Sequence, residues 1–291
     1  MHINIKYFII SIGSIFIAIG LGILVGFNLN KNEDLINTQT AMIQELDKNF
    51  NELSKKDDEL QKSLDEYKGK YSKSIAYLES KSTQLIGNML EDKNIGIICL
   101  NGDKDTSEKL LNTLNTSGAN TTFNISITDS INDEKKLKEV ANEIGIKVED
   151  TKGMIDYIVN SITTQNNVEA INKLKDSGMI EINFIANSYA DFESLVIVEG
   201  DKSKSASEKF EQLDAFLVEA VQAKEKHIIE VQNSNVKTSY VTEYEKKGVT
   251  TIDNIDQNVG FLSLAILVSD PSINGNYGVL DTAKCVVPVK E

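Results

Sequence analysis

Few side chains in this 291-residue sequence have the type and spacing that chemistry requires. The two cysteines, Cys99 and Cys285, lie far apart, and no paired Cys/His spacing accompanies them, so no zinc site is readable. His2 stands at the start of the chain, and His227 opens an apolar run where it is either a structural residue or a base. No G-x-S-x-G nucleophile elbow is present. The turn Asn101-Gly102-Asp103-Lys104 holds one glycine where a dinucleotide fingerprint needs three, and there is no GxxxxGK[ST] phosphate loop. Without that loop Asp129, which follows the second strand, carries little weight as a ribose ligand. The acids Asp103, Glu199 and Asp201 fall at predicted strand ends, where α/β folds place ligands. They nevertheless read as solvated turn acids rather than as ligands. No catalytic residue, cofactor or metal ligand is assigned on this pattern, and the chain is expected not to be an enzyme.

The charge narrows the partners. A formal net charge of −14 and a pI near 4.7 repel phosphate backbones, which argues against nucleic acid.

The elements that would position these residues fall into three stretches: an anchor over 1–30, a stalk over 31–92 and a head over 93–291. Residues 8–29 carry no charge and as a helix span roughly 33 Å, enough for the hydrocarbon core. The stretch is longer than a signal-peptide core and ends without a small-x-small cleavage site, so it reads as a retained single-pass anchor. His2 and Lys6 precede it, whereas Lys31, Glu33 and Asp34 follow, favouring a cytoplasmic N-terminus and an extracytoplasmic head. Ser14, Ala18, Gly22 and Gly26 recur every four residues, a small-residue ridge on which a second helix can pack closely.

The stalk carries a heptad pattern. Ile36, Ile43, Phe50, Leu64, Tyr71, Leu78 and Leu85 share one register, broken only by Asp57. Leu46, Leu53, Leu60 and Tyr67 follow three residues on, with Gln39 polar in that row. This is the a/d seam of a coiled coil, with a stutter after Tyr71. A parallel homodimer or a helical hairpin partner would bury it; a long helix packed on its own head is the competing reading.

In the head, apolar runs at 95–101, 121–128, 195–200, 227–232 and 249–252 read as strands. Helical patterns fall at 105–116, 132–144, 152–162, 167–177, 205–224 and 234–247, and at 259–269, where helix is favoured over strand. The alternation predicts a doubly wound, Rossmann-like α/β domain. Asp253 and Asp256, in the DNID segment, are expected to cap the helix that follows.

Two stretches carry a family resemblance: YFIISIGSIFIAIGLGILVGF at 7–27, and TIDNIDQNVGFLSLAILVSD at 251–270 followed by Gly275-Asn276-Tyr277-Gly278. With the stalk and the α/β head they resemble the MctB family, which also contains the SteB cell-separation proteins. The most specific part is the block from Asp253, Asn254 and Asp256 to Gly275, Tyr277 and Gly278. The resemblance implies either copper transport and homeostasis, or a cell-separation role with a SteA-like membrane partner and control of a wall hydrolase. Copper(I) prefers thiolate and thioether ligands, and the sequence offers no Cys-x-Cys or Met-x-Met cluster. One spanning helix does not make a pore. The residues therefore favour a non-enzymatic envelope adaptor, with copper transport and an enzyme with a cryptic site at the sheet edge as alternatives.

Overall fold

A computed structural model describes residues 5–100, 104–165, 167–199 and 210–289, excepting the side chains of 29–33. His2, Asn101, Gly102, Asp103 and Asp201 lie outside the described residues, as do residues 205–209 of the expected helix at 205–224. The chain divides into two compact units, Met1–Ser72 and Lys73–Glu291.

Anchor and stalk residues lie on one helix, α1 (Ile5–Ile86). Neither proline nor a close-packed glycine interrupts it, and Gly13, Gly20, Gly22, Gly26 and Gly69 have nothing near their missing Cβ positions. The stretch Ile5–Asn28 is long and apolar enough to cross a membrane. Ser14, Ala18, Gly22 and Gly26 are exposed. The heptad positions from Ile36 to Tyr71 are exposed too, whereas Leu78 is half-buried and Leu85 is exposed. The helix stops at Ile86, and residues up to 92 form turns, with Gly87 and Asp92 at positive φ.

The second unit is built on a seven-stranded sheet of order β3-β2-β1-β4-β5-β6-β7. The strands are β1 (Asn94–Cys99), β2 (Asn120–Ile127), β3 (Ile180–Ile185), β4 (Ser194–Val198), β5 (His227–Val231), β6 (Thr250–Ile252) and β7 (Asn276–Tyr277). All neighbours pair in parallel except β2 and β3. Parallel strands covered on both faces read as continuous apolar runs, which is how β1 and β4 look in sequence.

The helices are α2 (Lys104–Thr116), α3 (Glu134–Ile144), α4 (Thr151–Thr163), α5 (Val168–Asp176), α6 (Ala215–Gln222), α7 (Val241–Lys246) and α8 (Asn258–Ser269), with a π-turn at Phe210–Asp214 before α6. Alternate strand residues enter two separate cores. Leu195, Ile197 and Ile228 join residues of α3–α7, including Leu137, Ile158, Leu174 and Val218. Val196, Val198 and Ile229 join the end of α1, α2 and α8 through Ile86, Leu110 and Leu264. Gly96 in β1 makes room for Phe123 of the first core, since a Cβ there would lie 2.3 Å from its ring.

Three expectations change. Residues 234–247 are helical only over Val241–Lys246. Strand β3, unpredicted, is an antiparallel edge, so Glu181 and Asn183 interrupt its apolar pattern. The turns at 87–92 lie outside the stalk helix.

The last turns of α1 are tied to α8. The Glu79 carboxylate accepts hydrogen bonds from the N–H groups of Asn258 (3.0 Å) and Val259 (3.2 Å). Helix N-termini leave such donors unsatisfied, and an acid there is favoured by the helix dipole. Glu79→Ala is expected to lower head stability by about 1 kcal/mol, the usual worth of an N-cap. Chemical denaturation of the full chain in detergent checks this, and an unchanged midpoint would refute it.

Candidate functional site

The chain leaves β4, β5 and β6 at the C-terminal edge of the sheet, beside the point where strand order reverses between β1 and β4, the usual ligand position in open α/β sheets. On the α3–α7 side this edge is acidic. Glu199 follows β4, Glu230 lies within β5 and Asp253 follows β6. Asp214 comes down from the π-turn, and Tyr244 from α7 donates its hydroxyl proton to the Asp214 carboxylate at 2.7 Å. All five are buried.

The electrostatics follow from this crowding. Burial, then the charges of Asp214 and Asp253, pushes the Glu230 carboxyl well above the usual carboxylate range. Burial, then Asp214, Glu199 and Glu230, pushes the Tyr244 phenol up. A cavity of about 30 Å³ opens beside Asp129, Glu199, Asp214 and Tyr240. That volume holds about one water, and its lining disfavours phosphate. Glu199 is therefore a buried member of an acidic edge, not a solvated turn acid.

The DNID and GNYG segments meet at this edge. Asp253 accepts from the N–H groups of Val279 (2.6 Å) and Leu280 (3.2 Å). Gly278 has φ +138, and a Cβ there would lie 2.1 Å from the Asp253 carboxylate, so glycine is what lets the loop wrap the acid. Thr251 donates to Asn276 Oδ1 at 3.0 Å, and Asn276 donates to Thr282 at 2.7 Å. Gly275, also at positive φ, starts this turn, and the Tyr277 hydroxyl donates to the Asn274 carbonyl. Asp256 accepts from the N–H and hydroxyl of Ser234 at 2.7 and 2.8 Å. Asn254 gives its amide to Gln257. The expectation that Asp253 and Asp256 cap the next helix is thus corrected. They bind other loops, and Glu79 caps α8.

The remaining candidates lie elsewhere. His227 opens β5 at the opposite edge of the sheet, with Nδ1 3.2 Å from the Ser194 hydroxyl, and burial lowers its pKa. Cys99 is buried in β1, Cys285 is half-buried, and neither is in a disulfide. Among the described residues, no group of three or more His, Cys, Asp or Glu side chains is placed to hold a metal ion. Asp214, Glu230 and Tyr244 are new to the site, and Glu79 is new as the cap of α8. Glu230 reads in sequence as an ordinary polar residue of an alternating strand.

An apolar helix that fits a membrane anchor, followed by an α/β unit on a mostly parallel sheet, defines a membrane-anchored α/β protein. The chain belongs to the MctB family, described as "Copper transport outer membrane protein, MctB", which matches residues 2–288. No curated protein matches the chain.

Proposed function

We propose that this protein is a non-enzymatic adaptor of the cell envelope. It is held by a single-pass anchor with the N-terminus inside, and the stalk pairs as a parallel coiled-coil homodimer. A Rossmann-like head on the extracytoplasmic side recruits or restrains a wall-active enzyme, or a SteA-like membrane partner, in cell separation. The observation that carries this is the seam on α1, where Phe50, Leu53 and Leu60 are 73%, 67% and 73% exposed in the single chain. Apolar positions kept at heptad spacing and left uncovered call for a partner helix. Two chains anchored by their N-termini in one membrane must pair in parallel, and the ridge Ser14, Ala18, Gly22 and Gly26 allows close approach within the bilayer. Deleting the gene is expected to leave daughter cells chained, with separation restored by the wild-type chain. Normal separation in the deletion strain refutes the reading.

The family description favours a second reading, copper transport or tolerance. On that reading the deletion strain is hypersensitive to copper, and the purified chain binds Cu(I) stoichiometrically. Unchanged tolerance together with no bound metal would exclude it.

A further inference from the structure

Glu230 is a buried acid to which the adaptor reading gives no task. It is 0% exposed, and neither carboxyl oxygen has a hydrogen-bond partner among the described residues. Its register places it between Ile197 of β4 and Thr251 of β6. An ionised carboxylate left dry and without donors is very costly, so such a group keeps its proton.

Its surroundings are acidic on each covering element. Glu199 follows β4, the π-turn brings Asp214, Asp253 follows β6, Tyr240 precedes α7, and α7 brings Tyr244. Among the described residues, the charges acting on Glu230 are the carboxylates of Asp214 and Asp253. His227, the other titratable group on β5, lies at the far end of the strand.

We propose that Glu230 is a proton-held latch: its neutral carboxyl lets α7 and the π-turn close over the β4–β6 edge, and loss of that proton loosens this edge. Ionising Glu230 would bring another negative charge among Asp214, Asp253 and Glu199 beneath the Tyr244–Asp214 hydrogen bond. Like charges in a dry site repel, and the simplest relief is to admit water by lifting α7 and the turn from the sheet. The effect would be felt next to the Asp253 clamp on Val279 and Leu280, which shares the same edge.

The pH dependence has a definite sign. In the unfolded chain Glu230 loses its proton near the ordinary glutamate value of 4.5, while in the folded chain it keeps it to higher pH. Between those points the folded state holds one more proton. This group's contribution is therefore fully present below the unfolded value and is lost as pH rises, by up to tenfold in the folded-to-unfolded ratio per pH unit.

The test uses the full chain in detergent micelles or nanodiscs, comparing wild type with Glu230→Gln, which keeps the shape without the titration. Stability of the wild type should fall relative to the variant as pH rises from about 5 to about 9. Hydrogen exchange, corrected for its intrinsic pH dependence, should increase in segments 227–231 and 241–246 of the wild type but not in 120–127. The infrared band of a protonated carboxylic acid should be present at neutral pH and absent from the variant. Should Glu230→Gln fail to fold, Glu230→Leu supplies the comparison, since it removes both the charge and the need for donors. Parallel pH profiles for wild type and variant, or wild-type exchange rising no faster at this edge than in β2, would overturn the proposal.

Discussion

Gly260→Ala is expected to destabilise the head by about 3 kcal/mol, at the top of the range for overpacked interiors. The reason is what the new methyl would meet. A Cβ at residue 260 would lie 2.1 Å from the Asn254 carbonyl oxygen, 2.7 Å from its carbon and 3.0 Å from Ile255 Cα. These are backbone atoms in the segment linking β6 to α8, so no side-chain rotation relieves the clash. Either the DNID turn or α8 must move. Moving the turn strains the Asp253 clamp on Val279 and Leu280, and moving α8 strains the Glu79 cap on Asn258 and Val259. The helix is itself buried almost all round, so it has little room to shift. A loss of this size should lower the melting temperature by about 6–12 °C for a domain of this size class. Gly69→Ala is the control. Nothing lies within 4 Å of its Cβ position, and alanine is favoured in a helix by about 1 kcal/mol. Equal melting temperatures for Gly260→Ala and wild type would show that the α8 contact is looser than described.

The same contact shows what the sequence can and cannot reveal. The strands β1 and β4 were legible because each is covered on both sides and is apolar along most of its length. The edge strand β3 was not, because Glu181 and Asn183 break its run, and Asn183 satisfies Ser126 and Asn124 of β2 from the side. Residues 234–240, SNVKTSY, are mostly weak helix formers, and Ser234 bonds Asp256, Asn233 bonds Thr106 and Gln232 bonds Ser239, which competes with the helix. Part of the acidic edge was visible, since Glu199 and Asp253 stand at strand ends. Glu230 was hidden by its own periodicity. In HIIEVQ it takes a polar position of an alternating strand, and alternation alone points such a residue to solvent. Only the cover supplied by the π-turn and α7, which precede and follow β5 in the chain, turns that face inward. Glu79 was hidden for a related reason: it sits among many stalk acids, and the amides it caps come from residues 258 and 259.

The second large effect concerns the stalk. Leu53→Lys combined with Leu60→Lys is expected to convert the full chain from dimer to monomer in detergent. Both leucines are exposed in the single chain, on the seam flanked by Phe50 and Leu64. Burying a leucine contributes about 1.5–3 kcal/mol, so two layers contributed by both helices amount to roughly 6–12 kcal/mol. Opposed lysines in those layers would add like-charge repulsion. The seam already contains one imperfect layer, Asp57, between the two leucines. A parallel dimer must place its two carboxylates face to face, which lowers stability while fixing register. The neighbouring apolar layers therefore have to supply the affinity, and the double substitution removes the two adjacent to Asp57. Analytical ultracentrifugation or light scattering in detergent reads the outcome directly. Folding of the head, followed by its own thermal transition, should be unchanged, because both positions lie outside the unit Lys73–Glu291. A wild-type chain that is already monomeric would remove the homodimer from the proposed function and leave the seam to a different helix. A double variant that stays dimeric would move the association to the anchor, where Ser14, Ala18, Gly22 and Gly26 form an exposed ridge of small residues on α1. If the dimer is what the adaptor needs, the same two substitutions should also leave a deletion strain uncomplemented while the protein is still made and inserted.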